Sequence, residues 1–197
     1  MCILFMRGKS HSWRRFSTQE RVVMFSLDDK VVYPGHGVAK ISRVVEKIIA
    51  GSVAQFFELQ FLNKDMTILV PTKNLESIGL RKLSSHETID NAFEILSRPA
   101  KLCRDSMLSN WNKRSKDYQC KLRTGDLYAI CRIYRDLNHL AATKELSFGE
   151  KNLLLKTEAL LVEEISLVKD VEEDKAIATL RSFFIPTKTL GSEVRAL

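Results

Sequence analysis

One segment of the chain places an aromatic side chain among several cations. Trp111 is followed closely by Lys113, Arg114 and Lys116. If the segment is helical, Trp111 and Arg114 share one face and the two lysines share an adjacent face, because residues three apart are neighbours on a helix. Cationic side chains neutralise phosphates, and an exposed indole stacks on bases or wedges between them. The pattern therefore indicates nucleic-acid chemistry.

The same spacing also allows a purely structural interpretation of the tryptophan. On a helix, Trp111 lies on a stripe with Ser115, Tyr118 and Leu122. Tryptophan is mostly buried in folded proteins, so the residues alone favour a core position over an exposed one. An exposed wedge and a core residue are the two interpretations that the segment permits.

Patterns typical of catalytic and metal sites do not occur in the sequence. There is no P-loop, G-x-G-x-x-G, G-x-S-x-G or H-E-x-x-H, and the four cysteines and four histidines lack the paired spacing of a zinc site. His36, between two glycines, is interpreted as a turn residue. The acidic run of Glu163, Glu164, Asp170 and 172–174 lacks the ladder and central glycine of a calcium loop, which favours a solvated helix end. We therefore predict a protein that is not an enzyme and holds no metal or cofactor.

Charge is distributed unevenly along the chain, whose net charge is +7. Residues 101–135 hold nine Lys/Arg against three acidic residues, residues 158–174 hold one against seven, and residues 1–23 hold five against one. This polarity is consistent with a nucleic-acid face on one side. The composition, with 45% hydrophobic and 28% charged residues, excludes wholesale disorder, and no apolar run is long enough to span a bilayer.

The elements that position these residues fall into two modules. Over residues 27–80, short β-branched and aromatic runs alternate with turns, and the predicted strands include KVVY, QFFELQFL, MTILVP and a last strand at 78–80. Five short strands of this kind predict a small SH3-like or Tudor-like barrel. Its exposed strand edges offer a place to pair with a partner.

From Ser84 onward the apolar period becomes helical, which predicts an all-α module of about five helices. The predicted helices open at a capping box at 84–87, at about 105, at Asp126, at a capping box at 147–150 and at about 172. The fold class is therefore α+β, with a β module over 24–82 and a helical module over 83–184. Residues 1–23 are expected to be a disordered extension, and residues 185–197 a loose tail.

Several of these segments together resemble the bacterial CarD/CdnL transcription regulators. They are VVYPGHGVAKI, the VP near position 70, IGLR at 78–81, NWNKRSKDY at 110–118 and LSFGEKNLLLKTEALLVEEISLVKD at 146–170. The resemblance implies a Tudor-like module that binds the RNA polymerase β subunit and a helical module that binds promoter DNA at the upstream edge of the bubble. It implies a monomeric, cytoplasmic, nucleoid-associated bacterial protein that stabilises the open complex, without a membrane or small-molecule partner.

The resemblance also implies roles for individual residues of the helical module. Trp111 matches the tryptophan that enters the minor groove, which reverses the core interpretation of this residue. Lys113, Arg114 and Lys116 match residues on the DNA backbone. Lys151 matches a basic residue at a helix N-terminus, a position that favours phosphate.

In the β module, the resemblance places polymerase contacts at Lys47, Ile49 and Leu69. Some relatives have arginine at the position of Leu69, so the guanidinium fork is absent here, and we expect a more apolar, strand-pairing contact. Two alternatives stay open: an elongation or repair accessory factor that uses only the β module, and a small nucleic-acid hydrolase.

Overall fold

The computed structural model describes residues 25–98 and 111–184. The predicted extension at 1–23, the predicted tail at 185–197 and the first residues of the second predicted helix, 105–110, lie outside the described residues. In the part of the chain that is described, no helix is long and apolar enough to cross a bilayer.

The N-terminal module is a five-stranded antiparallel sheet, as predicted. Its strands are β1 (Lys30–Tyr33), β2 (Gly37–Ile49), β3 (Ser52–Phe61), β4 (Thr67–Pro71) and β5 (Arg81–Lys82). Their spatial order is β4-β3-β2-β1-β5, so β4 and β5 are the edges. Ala39, Ile41, Leu59, Phe61 and Val70 project into one buried core.

The β2–β3 hairpin is irregular and extends beyond its neighbours. A register shift between Ile41 and Arg43 interrupts the alternation of inward and outward side chains. The pairing then continues to Ile49 opposite Ser52, whereas β4 covers β3 only over residues 56–60. Because β1 pairs with β2 only over residues 37–40, the end of the hairpin has no neighbouring strand on either side among the described residues and projects from the sheet.

The strand predicted at 78–80 is wrong. Leu75–Ile78 instead forms a helical turn, α1, after a 3-10 turn at Thr72–Asn74. Gly79, with φ of 79°, ends α1 in the left-handed conformation, and its N–H donates to backbone carbonyls of the preceding turn. The last strand begins only at Arg81, because the glycine first reverses the chain direction.

The C-terminal module contains five helices in the described residues. They are α2 (His86–Ser97), α3 (Trp111–Arg123), α4 (Leu127–Thr143), α5 (Phe148–Lys169) and α6 (Glu173–Ser182). Ser85 and Asp126 cap α2 and α4 through side-chain oxygens, and Ser147 and Glu150 form both bonds of a capping box on α5. The caps at Asp126 and Ser147 agree with the sequence prediction. The capping box predicted at 84–87 is wrong, because Ser85 caps α2 through the N–H of Thr88 while the Ser84 hydroxyl donates to Glu164.

The helical core forms around α5, whose apolar stripe faces α4 and α6. Its buried members are Leu153, Thr157, Leu160, Leu161 and Ile165. Tyr134 of α4 is fully buried in the same cluster, and its hydroxyl donates to Glu158 at 2.9 Å. The stripe recurs every three or four residues, which is the spacing of a helix that packs along one side.

Two carboxylates on α5 join the two modules. The side chain of Glu164 is 2% exposed and accepts hydrogen bonds from both terminal nitrogens of Arg81, at 2.6 and 2.7 Å. It also accepts from the N–H of Ser84 at 3.1 Å and from the hydroxyl of Ser84 at 2.7 Å. Arg81 in turn donates to the carbonyl of Gly125 at 2.7 Å. This network fixes the orientation of the sheet relative to the helices.

Glu163 is also buried at the junction, against the sheet. Gly37 (φ 111°) passes so close that a Cβ at this position would lie 2.0 Å from a carboxylate oxygen of Glu163. Burial raises the pKa of Glu163, although the N–H of Val38 stabilises the charged form. The expectation of a solvated helix end is therefore wrong for Glu163 and Glu164, because the β module covers this face of α5.

Candidate nucleic-acid interface

Trp111, the first residue of α3, packs its indole against the first turn of α5. It is half-buried and packs at the edge of the helical core. A Cβ on Gly149 would lie 3.0, 3.1 and 3.2 Å from Cζ2, Nε1 and Cε2 of the indole. The absence of a side chain at Gly149 thus lets the ring rest on the helix backbone. The position combines features of both interpretations, because one part of the ring packs inward and the other stays accessible.

Arg114 and Glu150 support the ring from the protein side. The Arg114 guanidinium donates to Glu150 at 2.6 Å, and the two side chains are only 11% and 1% exposed. The same guanidinium carbon is 6.0 Å from the centre of the Trp111 ring, a cation–π distance. Glu150 also completes the capping box with Ser147. One buried carboxylate therefore joins α3, the start of α5 and the indole.

The charge of Glu150 is stabilised by its surroundings. Burial acts to raise the pKa of this carboxyl, but the N–H and hydroxyl of Ser147 and the Lys144 ammonium outweigh it and hold the pKa below its ordinary value. Lys144 lies 3.4 Å from the carboxylate. Glu150 is thus an anion at neutral pH and can retain its bond to Arg114.

The predicted DNA-contacting cations occupy two different environments. Lys113 and Lys116 are exposed on α3, and Lys151 is half-exposed on α5, with its ammonium 3.0 Å from Glu145. These three side chains can reach solvent and hence a phosphate. Arg114 is different, because its guanidinium is turned inward to Glu150. A direct phosphate contact by Arg114 stays a prediction that its burial does not favour.

A cleft of about 310 Å³ lies between α3 and α5, beside Trp111. Its other polar lining residues are Ser115, Gln119, Asn152 and Lys156. Neutral hydrogen-bonding side chains next to an aromatic ring and a cation form a surface that can contact bases and phosphates together.

The three residues predicted to contact polymerase share one face of the sheet. Leu69 of β4 is opposite Glu58 of β3, which is opposite Arg43 of β2. Lys47 and Ile49 follow Arg43 at intervals that are multiples of two, and alternate residues of a strand lie on the same face. The register thus brings Lys47, Ile49 and Leu69 together on one surface.

This surface belongs to the part of the sheet that is least covered. On this face Ile49 is exposed at the end of the β2–β3 hairpin, and the opposite face of the hairpin carries the exposed side chains of Val44, Ile48 and Val53, with Ile48 77% exposed. β4 pairs on one side only, with β3, so its other edge is open to an added strand. The β module therefore offers an apolar hairpin and a free strand edge.

No three His, Cys, Asp or Glu side chains come together as a potential metal site within residues 25–98 and 111–184.

Comparison with known protein families finds one match for each module of the chain. The model of the CarD-like/TRCF RID domain matches residues 25–84, and that of the CarD C-terminal domain matches residues 91–181. The chain belongs to the CarD family. Its β module matches the RNA polymerase interaction domain of this family of transcription factors.

Two individual proteins illustrate the similarity. YdeB of Bacillus subtilis (strain 168), whose name marks it as a candidate transcription factor, is 25% identical over 150 residues, which cover 76% of this chain and 95% of YdeB. The solution NMR structure of the 72-residue N-terminal domain of Myxococcus xanthus CarD is 30% identical. That match covers 30% of this chain and 79% of the NMR domain, with a TM-score of 0.27.

Sequence reasoning missed part of the candidate site. The segment 147–150 was interpreted as a capping box, which is correct, but its glycine and glutamate also hold Trp111 and Arg114. A signal was present, because glycine inside the first turn of a helix costs about 1 kcal/mol relative to alanine and so requires a reason. The pairing of Glu150 with Arg114, 36 residues away, has no local signal.

Proposed function

We propose that this protein binds the RNA polymerase β subunit through its β module and promoter DNA through its helical module, and so stabilises the open complex. The observation that carries the proposal is the placement of Trp111, which is held on the backbone at Gly149 while Lys113, Lys116 and Lys151 are exposed on the same two helices, α3 and α5. The upstream edge of the transcription bubble is the DNA that suits this arrangement, since its minor groove is already widened.

The helical module has the two parts that a wedge requires. Trp111 is oriented before binding by Gly149, Arg114 and Glu150, so little side-chain entropy is lost when it contacts DNA. The ammonium groups of Lys113 and Lys151 are exposed and can approach phosphates, Lys151 by exchanging its surface bond to Glu145. In this proposal Arg114 supports the indole rather than contacting the DNA backbone, because Glu150 already holds its guanidinium.

The β module acts as the tether in this proposal. Lys47, Ile49 and Leu69 form the contact surface, and the free edge of β4 supplies backbone groups for strand pairing. Attachment to polymerase raises the effective concentration of the helical module at the promoter. Because Arg81 and Glu164 join the modules through a bidentate contact, the tether also sets the direction in which Trp111 points.

A small energetic contribution is sufficient for this function. A contact to melted DNA worth about 1.4 kcal/mol shifts the equilibrium between closed and open promoter complexes tenfold. Inserting an apolar side chain into duplex DNA costs a few kcal/mol of unstacking per base step, and this cost is smaller where the bases are already unstacked. A single indole with its flanking lysines is therefore enough to change promoter occupancy.

Binding of the full chain to DNA and to polymerase tests the proposal. DNA binding would be measured by the fluorescence anisotropy of a forked promoter fragment and of the matching duplex. Polymerase binding would be measured by the capture of core polymerase on beads that carry the protein. The proposal predicts tighter binding to the fork together with polymerase capture. Equal binding to fork and duplex, with polymerase captured, would favour an accessory factor that uses only the β module.

A further inference from the structure

Phe148 is the most exposed large hydrophobic residue in the described part of the chain, at 81%. It is the first residue of α5 and lies outside the helical core, whereas Glu150 of the same turn is buried. A single exposed hydrophobic residue is common on protein surfaces, so the exposure of Phe148 gains meaning only from what lies beside it.

The local geometry places Phe148 beside the wedge. The next residue, Gly149, contacts the Trp111 ring, so both aromatic rings lie at the first turn of α5, Phe148 as part of it and Trp111 packed against it. Glu150 points inward to Arg114, and side chains two residues apart on a helix differ in direction by about 200°. Phe148 therefore points outward, away from the core.

The charges near Phe148 select the type of partner. Lys144 and Lys151 flank it in sequence, and their side chains are about half exposed. Glu145 is the one acidic side chain between Lys144 and Ser147, and it pairs with Lys151. An aromatic ring between cations suits a polyanion that carries exposed apolar planes, which is the description of single-stranded DNA.

We propose that Phe148 is a second DNA-contacting aromatic residue, which stacks on an unpaired base of the melted strand next to the position of Trp111. This inference rests on the proposed function, since it requires that the helical module is at the edge of a bubble. The two rings would then divide the work: Trp111 occupies the minor groove at the fork, and Phe148 holds the first base beyond it. Both oppose re-annealing.

The test compares variants of the full chain on forked DNA carrying 2-aminopurine at each of the first unpaired positions. We expect Phe148→Ala to weaken fork binding about fivefold or more, as loss of one base–aromatic stack does, and to abolish quenching at one position. Phe148→Trp should restore both. Leu155→Ala is the matched control, because Leu155 is exposed on the same face of α5, two turns further on, and should leave both readouts unchanged.

Two further measurements separate the possible failures. If Trp111→Ala weakens fork binding and Phe148→Ala does not, the inference is overturned while the proposed function stands. If neither variant weakens it, both are overturned. Loss of polymerase capture by Phe148→Ala in the absence of DNA would show that the ring contacts protein, which also overturns the inference.

Discussion

The contact between Arg81 and Glu164 provides the most quantitative prediction from the structure. Replacing Arg81 with methionine keeps an apolar stem but removes the guanidinium, which leaves the Glu164 carboxylate buried with Ser84 as its remaining donor among the described residues. Removing one partner of a buried pair typically costs 3–5 kcal/mol. Arg81 is 26% exposed, so water compensates in part, and we expect about 3 kcal/mol.

That free energy corresponds to a lowering of the melting temperature by roughly 6–12 °C, because 1 kcal/mol shifts a chain of this length by about 2–4 °C. Differential scanning calorimetry measures it directly. Arg43→Met is the control, since Arg43 forms a similar 2.9 Å bridge to Glu58 but on the surface of the sheet. The melting temperature of this control should equal that of the wild type.

Adding Glu164→Gln to Arg81→Met should recover part of the lost stability, because the variant pair no longer buries an unpaired charge. The reasoning would be refuted if Arg81→Met melted no earlier than Arg43→Met. A double variant less stable than Arg81→Met alone would also contradict it, since removal of the charge would then have worsened the defect.

Three further predictions concern single sites. Gly149→Ala should change the thermal midpoint little but weaken binding to forked DNA, because its Cβ must displace the Trp111 ring; unchanged fork affinity would contradict this. Glu163→Gln should stabilise the protein at about pH 8 and progressively less towards pH 4.5. Burial raises the pKa of Glu163 in the folded state, so the ionised carboxylate lowers the stability of the wild type at pH values above the pKa of the unfolded state. The prediction would be refuted if the melting temperatures of the two proteins differed by the same amount at every pH in this range. Lys47→Glu should weaken polymerase capture and leave fork binding intact, and the reverse result in the two assays would mean that the module roles are exchanged.

Local signals predicted the elements well, and long-range contacts explain what was missed. Ser147 and Asp126 cap helices as expected, because a capping side chain acts within three residues. Arg81 and Glu164 are 83 residues apart, and neither position differs in sequence from an ordinary surface charge. The burial of the acidic pair on α5 was therefore not predictable, since it depends on how the two modules pack.

In the candidate site, too, local features were predictable and long-range contacts were not. The proximity of Trp111 to cations along the chain was visible in the sequence and indicated nucleic-acid chemistry. The inward direction of Arg114 was not, because it depends on Glu150 on another helix. The outward direction of Phe148 also required the structure, since a phenylalanine at a helix start is more often a packing residue than an exposed one.

The central claim is that Trp111 acts by contacting melted DNA rather than by stabilising the protein core. The lifetime of competitor-resistant promoter complexes tests this claim most directly. The lifetime would be measured with purified polymerase and wild-type or Trp111→Ala protein, beside a thermal melt of each. Because the ring is only half-buried, the variant should lose less stability than the roughly 3–5 kcal/mol of a buried tryptophan. We predict that it stays folded, binds polymerase and loses most of the gain in lifetime. A Trp111→Ala protein that sustains the wild-type lifetime, or that unfolds far earlier than the wild type, would contradict the account.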